Sequence, residues 1–577
     1  MSQRKIHLGI DFGTSYTKIA YIENESFVNL AGDAQYIPSV VTYIPSTRKL
    51  YFGNLALRLQ GPESHTAYFF KLELKRNRAF RLGPYTLAEI LCQFFAYLKE
   101  EYIAPTVMDF DSIAISVPNY FGLKSRRLLI NAIHESIGVN KVFLLPEPIA
   151  ALIGYNSLLP SSPLQGDILS IDIGGGTSDF SFLTLSQEQQ EIIMETQFQI
   201  GSDVFSGAEI DRGILRYLLF PAFKMQHGIN LKANFFTEKS LNSHDRYLLN
   251  NYLRQAEQLK IDINRKKGTY LNKADFFDGH SLIASFEQDF FFAQLQPIFK
   301  RLQTYIDEVL KFRAKKLGLF DGQRWLMDYI LLLGGSARSQ AVQALIKEKI
   351  PGVPLICPED LDFNVVRGLC TWSNLLGKSA GSFKCIYPFQ FYIEKFEQDK
   401  QACALELIPF DTANLELDVN GRYKIFSFSL PSPYNLAADS DSIRLRVFEL
   451  AEEDDIKSLE RFQDQELALQ LDIPQETDSE TMELYLNLAL SRLEVNLSRP
   501  EAAAKFKKEA EIFEDFRVRQ KNSYDLIKTY KHHNPDLLSD FAEHLSPLDK
   551  KLEQAYEGHA ETTLFKLLCL LQFLSNK

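Results

Sequence analysis

The hydrophobic pattern of the first part of the chain predicts short buried strands that alternate with amphipathic helices. Five apolar, β-rich runs are typical of buried strands: KIHLGI, TKIAYI, SVVTYI, SIAISV and KVFLL. The segment LAEILCQFFAYLKEEYI instead carries its apolar residues at helical spacing. A second block of the same kind starts at Asp167, continues through helical segments and reaches another strand at YILLLGG. This alternation predicts an α/β architecture.

After LLGKSAGS (375–382) the apolar positions change to a period of two. The runs FQFYIE, CALELI, RYKIFSFSL, SIRLRVFEL and MELYLNLALSRLEVNL alternate apolar and polar residues. In the last run, Leu484, Leu486, Leu488 and Leu490 share one face, as half-buried antiparallel strands require. From about Ala502 the pattern becomes that of charged amphipathic helices. The chain is thus predicted to be α/β, then all-β, then helical.

Two segments about 160 residues apart repeat one pattern. LGIDFGTSYTKIAYI and LSIDIGGGTSDFSFL each place an Asp, a glycine turn and Thr-Ser between two apolar strands. Such a repeat predicts a duplicated domain with a cleft between its halves. Ordinary tight turns are the alternative for a single motif of this kind, but two in equivalent contexts favour a shared site.

The residues of these two segments are suited to a polyphosphate and a metal. A glycine turn lets backbone N–H groups approach an anion closely. Asp11 and Asp172, each at a strand end, can accept hydrogen bonds from the waters that Mg²⁺ retains beside phosphates. A third segment, YILLLGGSARSQAVQALI, places glycines before a helix that begins near Ser339, whose N-terminus favours a phosphate or the nearby sugar. A strand-to-helix loop that needs small residues for packing is the alternative there.

Length, charge and cysteine content restrict the class of protein further. A chain of 577 residues predicts two to four domains. The net charge of -11 argues against a nucleic-acid binder. The sequence has no cationic apolar leader and no apolar run long enough to span a bilayer, so no membrane association is expected. Six scattered cysteines without a CxxC pair indicate reduced thiols. We expect a soluble, cytoplasmic, multidomain protein.

The three glycine segments resemble those of the actin–hexokinase–chaperone ATPase superfamily, and the segments between them resemble the heat shock protein 70 family, the DnaK-type chaperones. FFKLELKR is similar to the family's lysine segment and gives Lys71; a solvated lysine in a basic run is the alternative. FLLPEPIAALIGY gives Glu147, for which a turn cap before Pro148 is the alternative. The other matched segments are ISVPNYFGLKSRRLLINAI with Pro118 and Arg126, LRQAEQLKIDIN with Glu257, Lys260 and Asn264, and LDFNVVRGL with Asp362.

The resemblance implies a multidomain fold. It predicts a duplicated actin-like α/β ATPase domain over residues 1–378 and an interdomain linker over 379–386. A β-rich, β-sandwich-like peptide-binding domain is expected over 387–500, because IYPFQFYIE, SIRLRVFELAEED and MELYLNLALSRLEVNL resemble its strands in order. A short α-helical, lid-like tail is expected over 501–577.

The resemblance also implies ATP/ADP and Mg²⁺ as ligands and hydrolysis of the ATP β–γ bond by positioning and charge neutralisation. Asp11 and Asp172 would hold the waters of the metal, and Lys71 would orient the attacking water. Asp179 and Glu147 would position water or the metal shell, while Thr177 donates to phosphate; these six are the expected catalytic residues. The expected nucleotide-binding residues are Gly13, Thr14, Ser15, Tyr16, Gly174, Gly175, Gly176, Thr177, Gly207, Glu257, Lys260, Asn264, Gly334, Gly335, Ser336, Arg338 and Asp362.

A chaperone of this family would couple its nucleotide state to the binding of unfolded or extended polypeptide. Pro118 and Arg126 are expected to relay that state, and a J-domain co-chaperone and a nucleotide-exchange factor are the expected partners. Four residues depart from the family pattern: Cys385 replaces the linker Asp, Ile261 replaces an adenine-stacking Arg, Asn264 replaces a Ser, and Gly207 stands where two glycines are usual.

These departures keep an alternative open, in which the protein is a nucleotide-binding regulator or scaffold of one partner with a weak or uncoupled ATPase. An actin-like filament protein is disfavoured because no segment resembles a polymerisation insert. A small-molecule kinase of the same superfamily is also disfavoured, because it would have no use for Lys71, Pro118 and the late β domain.

Overall fold

The computed structural model describes residues 6–375, apart from 33–35, 77–78, 108, 119–120, 140, 160–162, 189–190, 203–204, 232–234 and 237–242, and seven strands between residues 389 and 497. The chain divides into two compact units, Met1–Phe121 with Leu128–Cys385, and Gly122–Arg127 with Ile386–Lys577. The expected linker (379–386, with Cys385) and helical tail (501–577) lie outside the described residues.

The first half of the first unit contains the five strands that the apolar runs predict, together with shorter ones. Its strands are β1 (His7–Phe12), β2 (Tyr16–Glu23), β3 (Ser26–Asn29), β4 (Ile37–Pro38), β5 (Val40–Ile44), β6 (Lys49–Phe52), β7 (His65–Tyr68), β8 (Arg81–Leu82), β9 (Tyr85–Thr86), β10 (Ser112–Val117) and β11 (Val142–Pro146). Its helices are α1 (Gly53–Arg58), α2 (Glu73–Arg76), α3 (Leu87–Leu98), α4 (Leu123–Ile137), which belongs to this unit from Leu128 onward, and α5 (Glu147–Ser157).

The second half repeats the alternation with longer helices. Its strands are β12 (Gly166–Ile173), β13 (Ser178–Glu188), β14 (Glu191–Ser202), β15 (Gly268–Phe277), β16 (His280–Glu287), β17 (Tyr329–Leu333) and β18 (Leu355–Ile356). Its helices are α6 (Gly207–Ile214), α7 (Phe220–His227), α8 (Ser243–Arg265), α9 (Gln288–Gln294), α10 (Gln296–Tyr305), α11 (Lys311–Lys316), α12 (Gln340–Lys349) and α13 (Asn364–Leu375). The β15–β16 hairpin is not among the strands predicted from the sequence.

The two halves contain the same sheet. In the first, the order β3-β2-β1-β10-β11 joins an antiparallel meander to two parallel strands. In the second, the order β14-β13-β12-β17-β18 has the same directions throughout. The duplication that the repeated Asp-glycine pattern predicts is therefore present in the strand topology, and the two repeated segments are equivalent hairpins, β1–β2 and β12–β13.

Each half packs its own apolar core. In the first, α3 starts with a capping box in which Thr86 and Glu89 bond each other's backbone N–H. The helix buries Phe94 and Phe95, whose ring centroids lie 5.5 and 5.6 Å from that of Phe12. Because Phe12 follows Asp11 at the end of β1, this aromatic packing fixes the end of the first hairpin.

Two helices join the halves. One buried cluster takes Ile149 and Leu152 from α5, Ile168 from β12 and Leu331 from β17. The last helix, α13, returns to the first half, where Val366 and Cys370 pack with Ala20 of β2. The Cys370 thiol donates to the Ala20 carbonyl oxygen over 3.3 Å. The halves thus share buried apolar surface as well as a cleft.

The second unit contains two antiparallel sheets within the described residues. Its strands are β19 (Phe389–Glu397), β20 (Ala402–Ile408), β21 (Tyr423–Ser429), β22 (Ser442–Ala451), β23 (Glu466–Asp472), β24 (Thr481–Asn487) and β25 (Arg492–Leu497). Their orders are β20-β19-β22-β23 and β21-β24-β25. The alternating run MELYLNLALSRLEVNL forms two antiparallel strands, β24 and β25. Leu484 and Leu486 face the core as expected, whereas Leu488 and Leu490 lie outside the described residues.

Among the described residues, no helix is both long enough and apolar enough to cross a bilayer.

Candidate functional site

A cleft of about 620 Å³ lies between the two halves of the first unit. Most of the residues expected at a nucleotide site line it: Asp11, Gly13, Thr14, Ser15, Tyr16, Lys71, Pro118, Glu147, Asp172, Gly174, Gly175, Thr177, Asp179, Glu257, Lys260, Asn264, Gly334, Gly335, Ser336, Arg338 and Asp362. Three expected residues do not line it: Gly176, Gly207 and Arg126. The structure therefore brings together residues that are as much as 351 positions apart in sequence, from Asp11 to Asp362.

The first hairpin presents a buried carboxylate at the end of β1. Asp11 is 5% exposed, and its Oδ1 accepts from the Ser116 hydroxyl of β10 over 2.9 Å. Its register partner on β2 is Lys18, whose Nζ donates to Oδ2 over 2.9 Å. Opposite residues of an antiparallel pair have adjacent side chains, so this ion pair follows directly from the hairpin register.

The second hairpin presents two carboxylates at the same positions. Asp172 of β12 is the register partner of Asp179 on β13. The Thr177 hydroxyl donates to Asp179 Oδ2 over 3.2 Å. The turn is closed by a hydrogen bond of 2.9 Å from the Gly174 N–H to the Thr177 carbonyl oxygen. This hairpin therefore carries two acids where the first carries an acid and a base.

The turns of the two hairpins touch. A Cβ added to Gly175 would collide with Ser15 Oγ, and one added to Gly176 would lie 2.8 Å from Thr14 Cγ2. Only residues without a side chain allow the turns to approach this closely. Although Gly176 does not line the cleft, it is needed at this contact.

We expect Gly175→Ala to lower the affinity for ADP by about 10- to 100-fold, because separating the turns by roughly 1 Å displaces groups from both halves. Gly61→Ala is the matched control, since a Cβ added there has no neighbour within 4 Å. Isothermal titration calorimetry of both variants checks this. Equal affinities would mean that the turns act independently.

A buried lysine–glutamate pair lies beside the hairpins. Lys71 is 2% exposed, and its Nζ donates to Glu147 Oε1 over 2.7 Å. The rings of Phe12 and Phe121 lie 5.6 and 5.9 Å from the same nitrogen. The burial contradicts the alternative of Lys71 as a solvated lysine. Glu147 is the first residue of α5, where a carboxylate is favoured by the helix dipole, and its side chain is fixed by Lys71.

Four carboxylates, those of Asp11, Glu147, Asp172 and Asp179, line one end of the cleft. Burial, together with the charges of Glu147 and Asp11, raises the pKa of Asp172 to about 7. Burial, Glu147 and Asp172 also raise the pKa of Asp179 well above its usual value. Burial raises the pKa of Asp11 too, but Lys18 and Lys71 outweigh it, so that the pKa of Asp11 falls below normal.

This excess of buried acid fits a divalent cation. Within the described part of the chain, no group of three or more His, Cys, Asp or Glu side chains is arranged to bind a metal directly. The carboxylates of Asp11 and Asp172 can accept hydrogen bonds from the waters that Mg²⁺ retains.

The other end of the cleft carries residues suited to a nucleoside. Asp362 accepts from the Tyr36 hydroxyl over 2.9 Å and from Arg338 over 2.8 Å. Lys260 of α8 pairs with Asp211 over 2.8 Å and donates to the Gly207 carbonyl oxygen over 3.2 Å. Burial raises the pKa of Asp211 to about 6, although Lys260 opposes the shift.

The apolar wall at this end differs from that of the family pattern. Ile261 lines the cleft where an arginine was expected from the resemblance, and Phe291, Phe292 and Phe299 line it as well. Asn264 donates through Nδ2 to the Lys260 carbonyl oxygen over 2.8 Å, while its Oδ1 is buried without a hydrogen-bond partner. An acceptor is thus available beside an apolar surface.

The third glycine segment lies between a strand and a helix, as the sequence predicts. Gly334 follows β17 with a φ of 75°, and a 3₁₀ turn, Gly335–Arg338, comes before α12. A Cβ on Gly334 would collide with Asp172 Oδ1. Only a residue without a side chain fits beside the acid of the second hairpin.

The two expected relay residues lie in different places. Pro118, directly after β10, lines the cleft. Arg126 lies in the part of α4 that belongs to the second unit.

Several residues of the cleft were missed from the sequence: the polar residues Lys18, Tyr36 and Arg265, and the apolar residues Ile210, Phe291, Phe292, Phe299, Leu361 and Val365. The signal for Lys18 is present in the repeat, because it lies seven positions after Asp11, as Asp179 lies seven after Asp172. Tyr36 precedes β4 and meets Asp362 only in the folded chain, so no local pattern predicts it.

The fold and cleft together define a class: a duplicated α/β domain in which two equivalent Asp-glycine hairpins face one another across one cavity. The family model of the Hsp70 protein matches residues 64–354, which is half of the chain. The chain belongs to the Hsp70 family.

Its similarity to individual members is low. The chain is 26% identical over 353 residues to the chaperone protein DnaK of Ureaplasma parvum, covering 60% of this chain and 54% of that protein. It is 27% identical over 386 residues to the chaperone protein DnaK of Thermus thermophilus, covering 60% and 57%. It is 25% identical over 406 residues to a chaperone protein HscA homolog of Methylococcus capsulatus, covering 66% and 60%. The chain thus spans little more than half the length of the curated relatives it matches.

Proposed function

We propose that the protein is a Mg²⁺-dependent ATPase of the DnaK type, which couples its nucleotide state to the binding of unfolded or extended polypeptide. The observation that carries the proposal is the cleft itself, where two equivalent hairpins, four carboxylates and the buried Lys71–Glu147 pair converge. Catalysis in such a site needs positioning and charge, and no covalent intermediate.

The phosphates would lie between the two hairpin turns. Backbone N–H groups of the turns, with the hydroxyls of Thr14, Ser15 and Thr177, would donate to their oxygens. Lys71 would hold the attacking water and offset the developing charge, and Glu147 would keep the ammonium in place. Mg²⁺, when bound, would neutralise the β- and γ-phosphates, and Asp11 and Asp172 would hold its waters. Asp179, with its raised pKa, would orient a further water.

The nucleoside would occupy the opposite end of the cleft. Glu257, Lys260 and Asn264 of α8 would face the ribose and base, with Arg338 and Asp362 on the other side. Ile261 would contact the base through an apolar surface in place of a cation–π contact. We expect this substitution to weaken binding of the base without removing it.

The remaining assignments belong to the same proposal. Residues 1–378 would form the ATPase domain, 379–386 the linker, 387–500 the peptide-binding domain and 501–577 the lid, in a cytoplasmic protein. An extended peptide would add to the β-rich domain by strand-like hydrogen bonds. Pro118 and Arg126 would relay the nucleotide state, and a J-domain co-chaperone and an exchange factor would act on the cycle.

A second function is favoured by Ile261. With a weakened base contact, the protein would bind nucleotide and regulate one partner with little turnover. Both functions use the same cleft. They differ in whether nucleotide and peptide binding are coupled; such coupling is reciprocal, so in the chaperone a bound peptide should change the handling of nucleotide, including the rate of hydrolysis.

Single-turnover ATP hydrolysis by the full chain, with and without an unfolded peptide, tests the proposal. We expect turnover that peptide accelerates several-fold, and none in the Asp172→Asn reference protein. Turnover unaffected by peptide would contradict the coupling and leave an uncoupled ATPase. ATP binding without Asp172-dependent turnover would favour the regulator.

A further inference from the structure

The duplicated hairpins differ at one functional position. Asp11 and Asp172 are equivalent, and their register partners, Lys18 and Asp179, are equivalent too. One half thus supplies an ammonium group where the other supplies a carboxylate. Both side chains line the same cleft.

Lys18 is held inside the cleft. Its side chain is 16% exposed, and its Nζ lies 2.9 Å from Asp11 Oδ2. The Ser116 hydroxyl occupies the other Asp11 oxygen at 2.9 Å. Besides Asp11, the charges of Asp362 and Asp172 act on the ammonium. Lys18 is therefore a cation held against Asp11 at the end of the first hairpin, within reach of the charges of Asp172 and Asp362.

From this geometry we infer that Lys18 is a phosphate-binding residue, which supplies positive charge to a nucleoside diphosphate or triphosphate when Mg²⁺ is absent. The inference rests on the proposed nucleotide binding and extends it to a residue that the family resemblance does not assign. An ammonium on a flexible stem reaches a phosphate oxygen by a side-chain rotation, leaving Asp11 to the metal waters. Removal of Mg²⁺ should therefore lower the affinity for nucleotide less than it would in a site with Asp11 and Asp172 but without Lys18.

A purely structural ion pair is the competing explanation. Removing one partner of a buried pair is destabilising because the other charge is left uncompensated. Such a loss would lower stability in every condition, however, and would not change selectively the affinity measured without Mg²⁺. The ratio of two dissociation constants, in EDTA and in Mg²⁺, separates the explanations because general damage to the fold affects both.

The test measures ADP binding to the full chain by calorimetry, in excess Mg²⁺ and in EDTA. We expect Lys18→Met to raise the EDTA-to-Mg²⁺ ratio of dissociation constants at least tenfold, and Lys18→Arg to restore most of it. Lys49→Met is the matched control, since Lys49 is an exposed lysine of β6 in the same half. Thermal unfolding shows that each variant is folded, and Lys18→Gln replaces the Met variant if that one is not.

An unchanged ratio in Lys18→Met would overturn the inference while leaving the proposed function in place. A tenfold loss of ADP affinity of similar size in EDTA and in Mg²⁺ would overturn it as well, because a purely structural ion pair predicts that outcome. If the unaltered chain bound no ADP in either condition, the proposed function would fail, and the role of Lys18 with it.

Discussion

Replacing Lys71 by Met is expected to lower the single-turnover rate of ATP hydrolysis by about 10²- to 10³-fold, the usual cost of removing one preorganised donor. The ammonium is already oriented before any ligand binds, because Glu147 accepts from it over 2.7 Å and two aromatic rings flank it. No water can replace a side chain that is 2% exposed without rearrangement of the site.

The dissociation constant of ATP should change far less than the rate, since the two hairpin turns still bind the phosphates. Lys99→Met is the matched control: Lys99 donates to the Ile137 carbonyl oxygen over 2.9 Å in the same half, away from the cleft. Rapid-quench measurements at saturating ATP give the rate, and calorimetry gives the affinity. Equal rates in the two variants, or a parallel loss of binding and rate in Lys71→Met, would contradict the assigned role.

The second large effect concerns stability. We expect Asp172→Asn to raise the free energy of unfolding of the nucleotide-free, Mg²⁺-free protein by about 2–4 kcal/mol at pH 8 and to change it little near pH 4. Burial and the neighbouring Glu147 and Asp11 raise the folded-state pKa of Asp172 from 3.8 to about 7. Between these two values the folded chain keeps a proton that the unfolded chain has released, so stability falls as pH rises. The asparagine side chain does not titrate in this range. The increase in the free energy of unfolding caused by the substitution therefore grows as the pH rises from about 4 to about 7.

Fluorescence isolates this effect. The only two tryptophans of the chain, Trp325 and Trp372, both belong to the first compact unit. Urea unfolding followed by their emission therefore reports on the unit that contains Asp172. Asp278→Asn, in the exposed turn between β15 and β16, is the control. If Asp172→Asn changed the free energy of unfolding by the same amount at pH 4 and at pH 8, the effect would not be electrostatic in origin.

Features that depend on short sequence motifs could be predicted from the sequence. Asp11 with Gly13, and Asp172 with Gly174, stand in short repeated motifs, so the two hairpins and their shared cleft follow from pattern alone. Lys71 lies in a segment without such a repeat, and only the family resemblance identified it. Its burial against Glu147 required the fold.

Strand register accounts for two features that the sequence pattern left open. The run MELYLNLALSRLEVNL forms two strands, because its apolar residues fall at even positions in β24 and at odd positions in β25, and this change of phase marks the turn. The orientation of Lys18 also depends on register. A lysine in an alternating strand usually faces water, and only the register opposite Asp11 shows that this one faces the cleft. Tyr36 depends on Asp362, 326 residues away, which no local pattern encodes.

The return of α13 to the first half has a consequence for biosynthesis. Val366 and Cys370 cover Ala20 of β2, so the first sheet stays uncovered on that face until residue 370 has left the ribosome. An N-terminal half that emerges first therefore cannot cover this face of its sheet until α13 has been synthesised. The nascent chain exposes part of its first core until residue 370 of 577 has emerged, and this apolar surface is open to aggregation during that time.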